Sequence, residues 1–141
     1  MKEQLIGAWT LVSIDNIMPD GSKRQFYGTN PKGVQIFDAS GRWAQMQVRA
    51  GRAKFKSLDR LEATAEEAKV AMQDTLAQFG SWSLDEASKT IILRIEGSLV
   101  PNAEGTEGKR VITSLTADEF KYINPVVAAG GKNEVVYRRA K

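Results

Sequence analysis

The chain has 141 residues, with 20 lysines and arginines against 17 acids for a formal net charge of +3, and it contains neither cysteine nor histidine. Such a length suits one domain whose core needs no disulfide or metal, and the missing cysteine excludes thiol catalysis and cysteine metal sites. The missing histidine removes the usual general base, the usual zinc ligand and every Ser-His or Cys-His arrangement, while the near balance of charge argues against a dedicated nucleic-acid binder.

In chain order, Met1-Lys2-Glu3-Gln4 carries no apolar leader core, and no apolar run approaches membrane-spanning length, so a soluble, cytoplasmic chain is expected, with no membrane partner. Leu5-Ile6-Gly7-Ala8-Trp9-Thr10-Leu11-Val12-Ser13 opens a strand in which alternation puts Trp9, Leu11 and Ser13 on one side. Gly7 allows a tight turn or a close approach at its start. A buried indole is worth several kcal/mol, roughly 25 cal/mol per Å² over about 200 Å², and suits the closed end of a small barrel. Met18-Pro19-Asp20-Gly21-Ser22 is turn chemistry that ends the strand near Asn16. Val34 to Phe37 alternates as a strand, Asp38-Ala39-Ser40-Gly41 turns, and Arg42 to Val48 returns. On that returning strand Trp43, Gln45 and Gln47 share one face, and Arg42, Ala44, Met46 and Val48 share the other. Neither face is purely apolar, as in a barrel wall between a mixed cavity and solvent.

Thr64-Ala65-Glu66-Glu67 is a capping box, and Ala68, Met72, Leu76 and Phe79 then recur at helical spacing up to Gly80. The pattern predicts an amphipathic helix over about 64–79 lying across the barrel, its apolar stripe in the core. Strands are expected again at Ser81 to Leu84, Thr90 to Glu96, Arg110 to Leu115, Phe120 to Ile123 and Glu134 to Arg139. The whole reads as a mainly β, up-and-down antiparallel barrel of about eight or more strands, one domain over residues 1–141.

Several side chains have the chemistry of a site. Arg94, Glu96 and Ser98 alternate onto one strand face. Pointed inward, Glu96 accepts a proton while Arg94 holds an enolate or carboxylate; pointed outward, the two are an ordinary surface pair. Arg110 brings another cation to the neighbouring strand, as an oxyanion holder or as a structural partner of Glu96. Trp43, Trp82, Tyr122 and Tyr137 form either the aromatic wall of a pocket or the filling of the barrel. Tyr122 and Asn124, beside Pro125, either bond a ligand at the mouth or cap a turn. The basic run Arg49, Arg52, Lys54, Lys56 and Arg60, with Phe55 among them, is read as a solvated loop rather than a site for RNA.

Five stretches narrow the family: Gly7-Ala8-Trp9-Thr10-Leu11-Val12-Ser13, Asn30-Pro31-Lys32-Gly33, Gly51-Arg52-Ala53-Lys54-Phe55, Phe79-Gly80-Ser81-Trp82-Ser83-Leu84-Asp85 and Ile95-Glu96-Gly97-Ser98-Leu99-Val100-Pro101-Asn102. In order and spacing they resemble the bacterial lipocalin-like domain family. The resemblance implies a small calycin-type barrel with an internal pocket, in which an arginine from the last strand, Arg138 or Arg139, packs over Trp9. The chain departs from the family pattern at Arg94, where His is common, at Ala103, where Trp is common, and at Met46, where Gln is common and Gln45 and Gln47 instead flank the position.

The first expectation is therefore binding of a small hydrophobic or aromatic molecule inside the barrel, without metal or organic cofactor, by Trp43, Gln45, Met46, Gln47, Trp82, Asn102, Asn124 and Tyr137. The second is a cofactor-independent isomerase, cyclase or hydro-lyase in the same cavity, with Glu96 and Tyr122 moving protons and Arg94 or Arg110 stabilising an oxyanion. A third is homodimerisation through the outer barrel wall.

Overall fold

The computed structural model describes residues 1–141. Its strands are Gly7–Ile17 (β1), Lys23–Arg24 (β2), Lys32–Phe37 (β3), Arg42–Val48 (β4), Thr75–Asp85 (β5), Thr90–Ser98 (β6), Glu107–Leu115 (β7), Glu119–Asn124 (β8) and Lys132–Arg139 (β9). From β3 to β9 each strand lies antiparallel beside the next, β1 pairs with β3 on one side, and β9 pairs back onto β1 on the other. The result is a closed barrel of eight strands, with β2 an extra strand along the far end of β1. Closure leaves the barrel no free edge of unpaired N–H and C=O groups.

Short turns at 38–41, 86–89 and 116–118 join the strands at the end where β1 begins, and the four-residue helix Lys2–Leu5 (α1) places the buried Leu5 against that end. The long connections 18–31, 49–74, 99–106 and 125–131 all rim the opposite end. This asymmetry makes one end closed and the other open.

Two sequence expectations need correction. In β1 the pairing with β9 slips between Leu11 and Ser13, so Val12 is exposed and Ile14 and Asn16, not Ser13, follow Trp9 and Leu11 into the interior. A bulge adds one residue and reverses the parity beyond it. The second helix, Ala65–Gln73 (α2), has the expected capping box but stops before Asp74, short of the predicted 79. Leu76, Phe79 and Gly80 belong to β5, where Thr75 to Ser81 pairs with β4. Strand pairing overrides a helical spacing carried by residues that are also good strand formers. Gly80 is no helix stop: it sits at a bulge opposite β6, where a Cβ would lie 1.8 Å from the Arg94 carbonyl oxygen. Nor does α2 bury an apolar stripe across the barrel. None of its residues is buried, and Val70 and Met72 are exposed.

Candidate functional site

The closed half of the barrel is filled with apolar side chains. Trp9, Phe37, Trp82, Ile91, Leu93 and Phe120 are buried together, with Trp9 and Phe120 ring centroids 5.3 Å apart and the Phe37 and Trp82 rings edge-on at 5.3 Å. Polar tips find partners: the Trp9 indole N–H donates to the Leu5 carbonyl at 2.9 Å, and that of Trp82 to the Asp38 carbonyl at 2.9 Å. Arg139 lies over the Trp9 ring, 3.8 Å from its centroid, and donates to the carbonyls of Gln4, Ile6 and Ala117. Gly7, at φ 125°, passes beneath this guanidinium, where a Cβ would stand 2.8 Å from Nη1. No L side chain suits that backbone.

Above this plug the interior turns polar. The Trp43 N–H donates to Gln35 Oε1 at 2.8 Å, and Gln35 Nε2 donates to the Tyr122 hydroxyl at 3.3 Å. Gln78 Nε2 donates to Gln45 Oε1, and Gln45 Nε2 reaches Gln47 Oε1 and the Tyr137 hydroxyl. These glutamines are buried. The Tyr122 and Tyr137 rings stack at 6.0 Å. Burial first, and then the neighbouring Tyr122, push the Tyr137 phenol well above its ordinary value, so it stays neutral and serves as a hydrogen-bonding group.

Near the open end this network borders a cavity of about 40 Å³. Its polar lining comes from Gln45, Gln47, Arg110, Tyr122, Asn124 and Asn133, its apolar lining from Ile14, Leu76 and Val135. Arg110 dominates the electrostatics. It is only 9% exposed, yet it takes part in none of the molecule's ion pairs. Its one protein hydrogen bond is from Nη1 to the Lys109 carbonyl at 3.0 Å, and its guanidinium carbon lies 5.9 Å from the centre of the Tyr122 ring. Beyond the cavity, Asn16 ties the rim together: it donates to Asn133 and the Gly130 carbonyl, and accepts from Arg24.

The residues singled out from the sequence divide into three groups. Gln45, Gln47, Arg110, Tyr122 and Asn124 meet at the cavity, and Tyr137 joins them through Gln45. Trp43 and Trp82 are buried in the core rather than lining a hollow, and Asn124 also accepts the Val126 N–H at 3.4 Å. Arg94, Glu96, Met46, Asn102 and Arg138 are exposed. Glu96 pairs on the outer wall with Arg42, and Arg94 lies 3.9 Å from Glu107. Even alternation on β6 sends Leu93 and Ile95 inward and therefore Arg94 and Glu96 outward, so that pair is the surface arrangement. Arg139, and not Arg138, is the cation over Trp9. Met46 joins Val34, Ile36 and Phe79 in an exposed apolar strip on the outside. Gln35, Gln78 and Asn133 join the site beyond the residues the sequence points to: Gln35 shares strand parity with Phe37, and Gln78 lies in a segment whose spacing also fits a helix.

A broader depression, about 550 Å³ and lined by Lys32, Arg49, Arg52, Lys54, Phe55 and Val70 among others, lies outside the barrel beside α2. It is open to solvent and Arg49 is already paired with Asp74 at 3.2 Å, so it lacks the largely buried guanidinium without an acid partner that marks the interior cavity. No helix is long and apolar enough to cross a membrane.

The closed eight-strand topology and its N-terminal Gly-x-Trp strand agree with a family match: the model of the lipocalin-like domain family matches residues 6–134. The chain belongs to the lipocalin-like domain family. Among solved structures this lipocalin-like chain is similar to a lipocalin-like protein from Bacteroides uniformis, at 12% identity and a TM-score of 0.51, over 97% of this chain and 99% of that one. At that identity the likeness is one of fold. No curated protein matches the chain. The lipocalin-like fold supports a small-molecule-binding role, and the identity of a guest has to be read from the interior side chains.

Proposed function

We propose that this lipocalin-like barrel binds a small organic molecule through its open end, with the guest's head in the amide-lined cavity and its body at the rim. The observation that carries this reading is the buried, unpaired Arg110 beside a cavity in an otherwise closely filled interior. A core built only for stability has little reason to leave a guanidinium there without an acid. The cavity of about 40 Å³ is far below the 300–1,000 Å³ usual for drug-sized ligands, so it accepts a head group and not a whole aromatic guest. Binding is favoured over acid–base catalysis because no carboxylate lines the cavity and the chain has no histidine, which leaves no general base of the usual kind there.

The test is a small-molecule screen read by side-chain amide NMR and thermal shift. A guest should move the amide signals of Gln45, Gln47 and Asn124 and raise the unfolding temperature. At 100 times its Kd it should stabilise the fold by about 2.7 kcal/mol. Shifts confined to the outer 49–56 loop or the outer wall contradict the proposal.

A further inference from the structure

We infer that the group anchored in the cavity is the carboxylate of an organic monoanion, held by the Arg110 guanidinium; the inference rests on the small-molecule reading just given and specifies its chemistry. Four observations converge. First, Arg110 lines the cavity, is nine-tenths buried and has one carbonyl as its side chain's protein hydrogen-bond partner; no nitrogen of it is both fully buried and unbonded, so its remaining N–H donors are open to solvent and to what displaces it. Second, the polar groups around it are amides and phenols, all neutral, so one positive charge stands uncompensated within the barrel. One cation among neutral donors matches one negative charge; a dianion would bring in a second charge with no partner.

Third, the guanidinium is given space by its own strand. A Cβ at Gly108, two residues before it on β7, would stand 3.2 Å from Nη1, so glycine keeps that side of the fork clear. A planar fork in a fixed position matches a carboxylate better than it matches a neutral amide, which offers one acceptor oxygen and no charge. Fourth, the cavity is sized for a head group and has apolar walls. Its 40 Å³ is room for two or three water-sized centres, about the bulk of a carboxylate, and Ile14, Leu76 and Val135 line it alongside the polar groups. Those walls favour a hydrocarbon body attached to the anion over a free inorganic ion.

The experiment compares isosteric pairs that differ in charge: hexanoate against hexanamide and benzoate against benzamide, titrated at neutral pH by NMR and calorimetry, with sulfate as the inorganic control. In the wild-type chain each carboxylate should bind at least tenfold more tightly than its amide and more tightly than sulfate, moving the Gln45 and Gln47 amide signals. Arg110→Met should abolish that preference, and Arg110→Lys should keep part of it. Gly108→Ala, which crowds the guanidinium without removing the charge, should weaken the carboxylates several-fold and leave the amides unchanged. If amides bind the cavity as tightly as carboxylates, or Arg110→Met keeps the preference, the carboxylate assignment is overturned while small-molecule binding stands. Sulfate binding as tightly as the carboxylates also overturns it, in favour of an inorganic anion. If no probe of either class moves the interior amides, the small-molecule proposal falls together with the inference.

Discussion

Two arginines stand at opposite ends of one barrel, and their surroundings differ in almost every respect. Arg139, at the closed end, stacks on Trp9 and donates to three carbonyls, and both faces of its setting are made by residues that the fold needs anyway. Arg110, toward the open end, is buried among amides with a single carbonyl and no acid. The first completes a core; the second leaves one incomplete. The difference separates a half built for stability from a half whose buried cation has no acid beside it, and the proposed guest is what would offset that cost.

The largest break in that comparison is at the closed end itself. Trp9→Ala removes a fully buried indole and its bond to the Leu5 carbonyl, and should cost about 3–5 kcal/mol of unfolding free energy by chemical denaturation. Arg139→Met removes the cation over that ring and its three carbonyl bonds, and should cost about 2–3 kcal/mol.

The boundary between the halves should report through pH. The fold favours the neutral Tyr137 phenol, so the folded chain binds that proton more tightly than the unfolded chain. The contribution is whole below the ordinary tyrosine value of 10.0 and is lost as pH climbs from there toward the raised folded value. Stability should therefore fall above pH 10, with a limiting slope of about 1.4 kcal/mol per pH unit from this group. Tyrosinate absorbance lost in a Tyr137→Phe variant should report a phenol that ionises only with unfolding; its ionisation near pH 10 in the folded chain would contradict the account. The smallest effect belongs to the outer wall. Arg94→Ala and Glu96→Gln remove solvent-exposed partners and should each change stability by less than about 0.5 kcal/mol, with guest binding unaltered.

The fold was legible because its signals are local and redundant. Alternation in β3, β4 and β6 marks the strands and sorts their residues into two faces, turn chemistry separates the hairpins, and Trp9 anchors the closed end. Residues 75–80 were not legible, because Leu76 and Phe79 satisfy a helical period as well as a strand, and only the partner strand β4 decides between them. The site was half legible. Parity on β4 already put Gln45 and Gln47 on the side of Trp43, and on an eight-stranded barrel one side of every strand is interior. What parity does not give is its absolute sense on a strand such as β6, where Arg94 and Glu96 form as plausible a pair as any until Leu93 and Ile95 are seen to take the core. The bulge after Leu11 is invisible for the same reason: it changes parity without changing composition.

The most direct test of the contrast between the two ends is the unfolding free energy of Arg110→Met, measured without any ligand beside the wild-type chain. A guanidinium retained for a guest predicts a variant as stable as wild type or more stable, since methionine fills similar space without a buried unpaired charge. A loss of about 2 kcal/mol or more would mean that Arg110 holds the barrel together as Arg139 does, and would contradict the division between a structural end and a binding end.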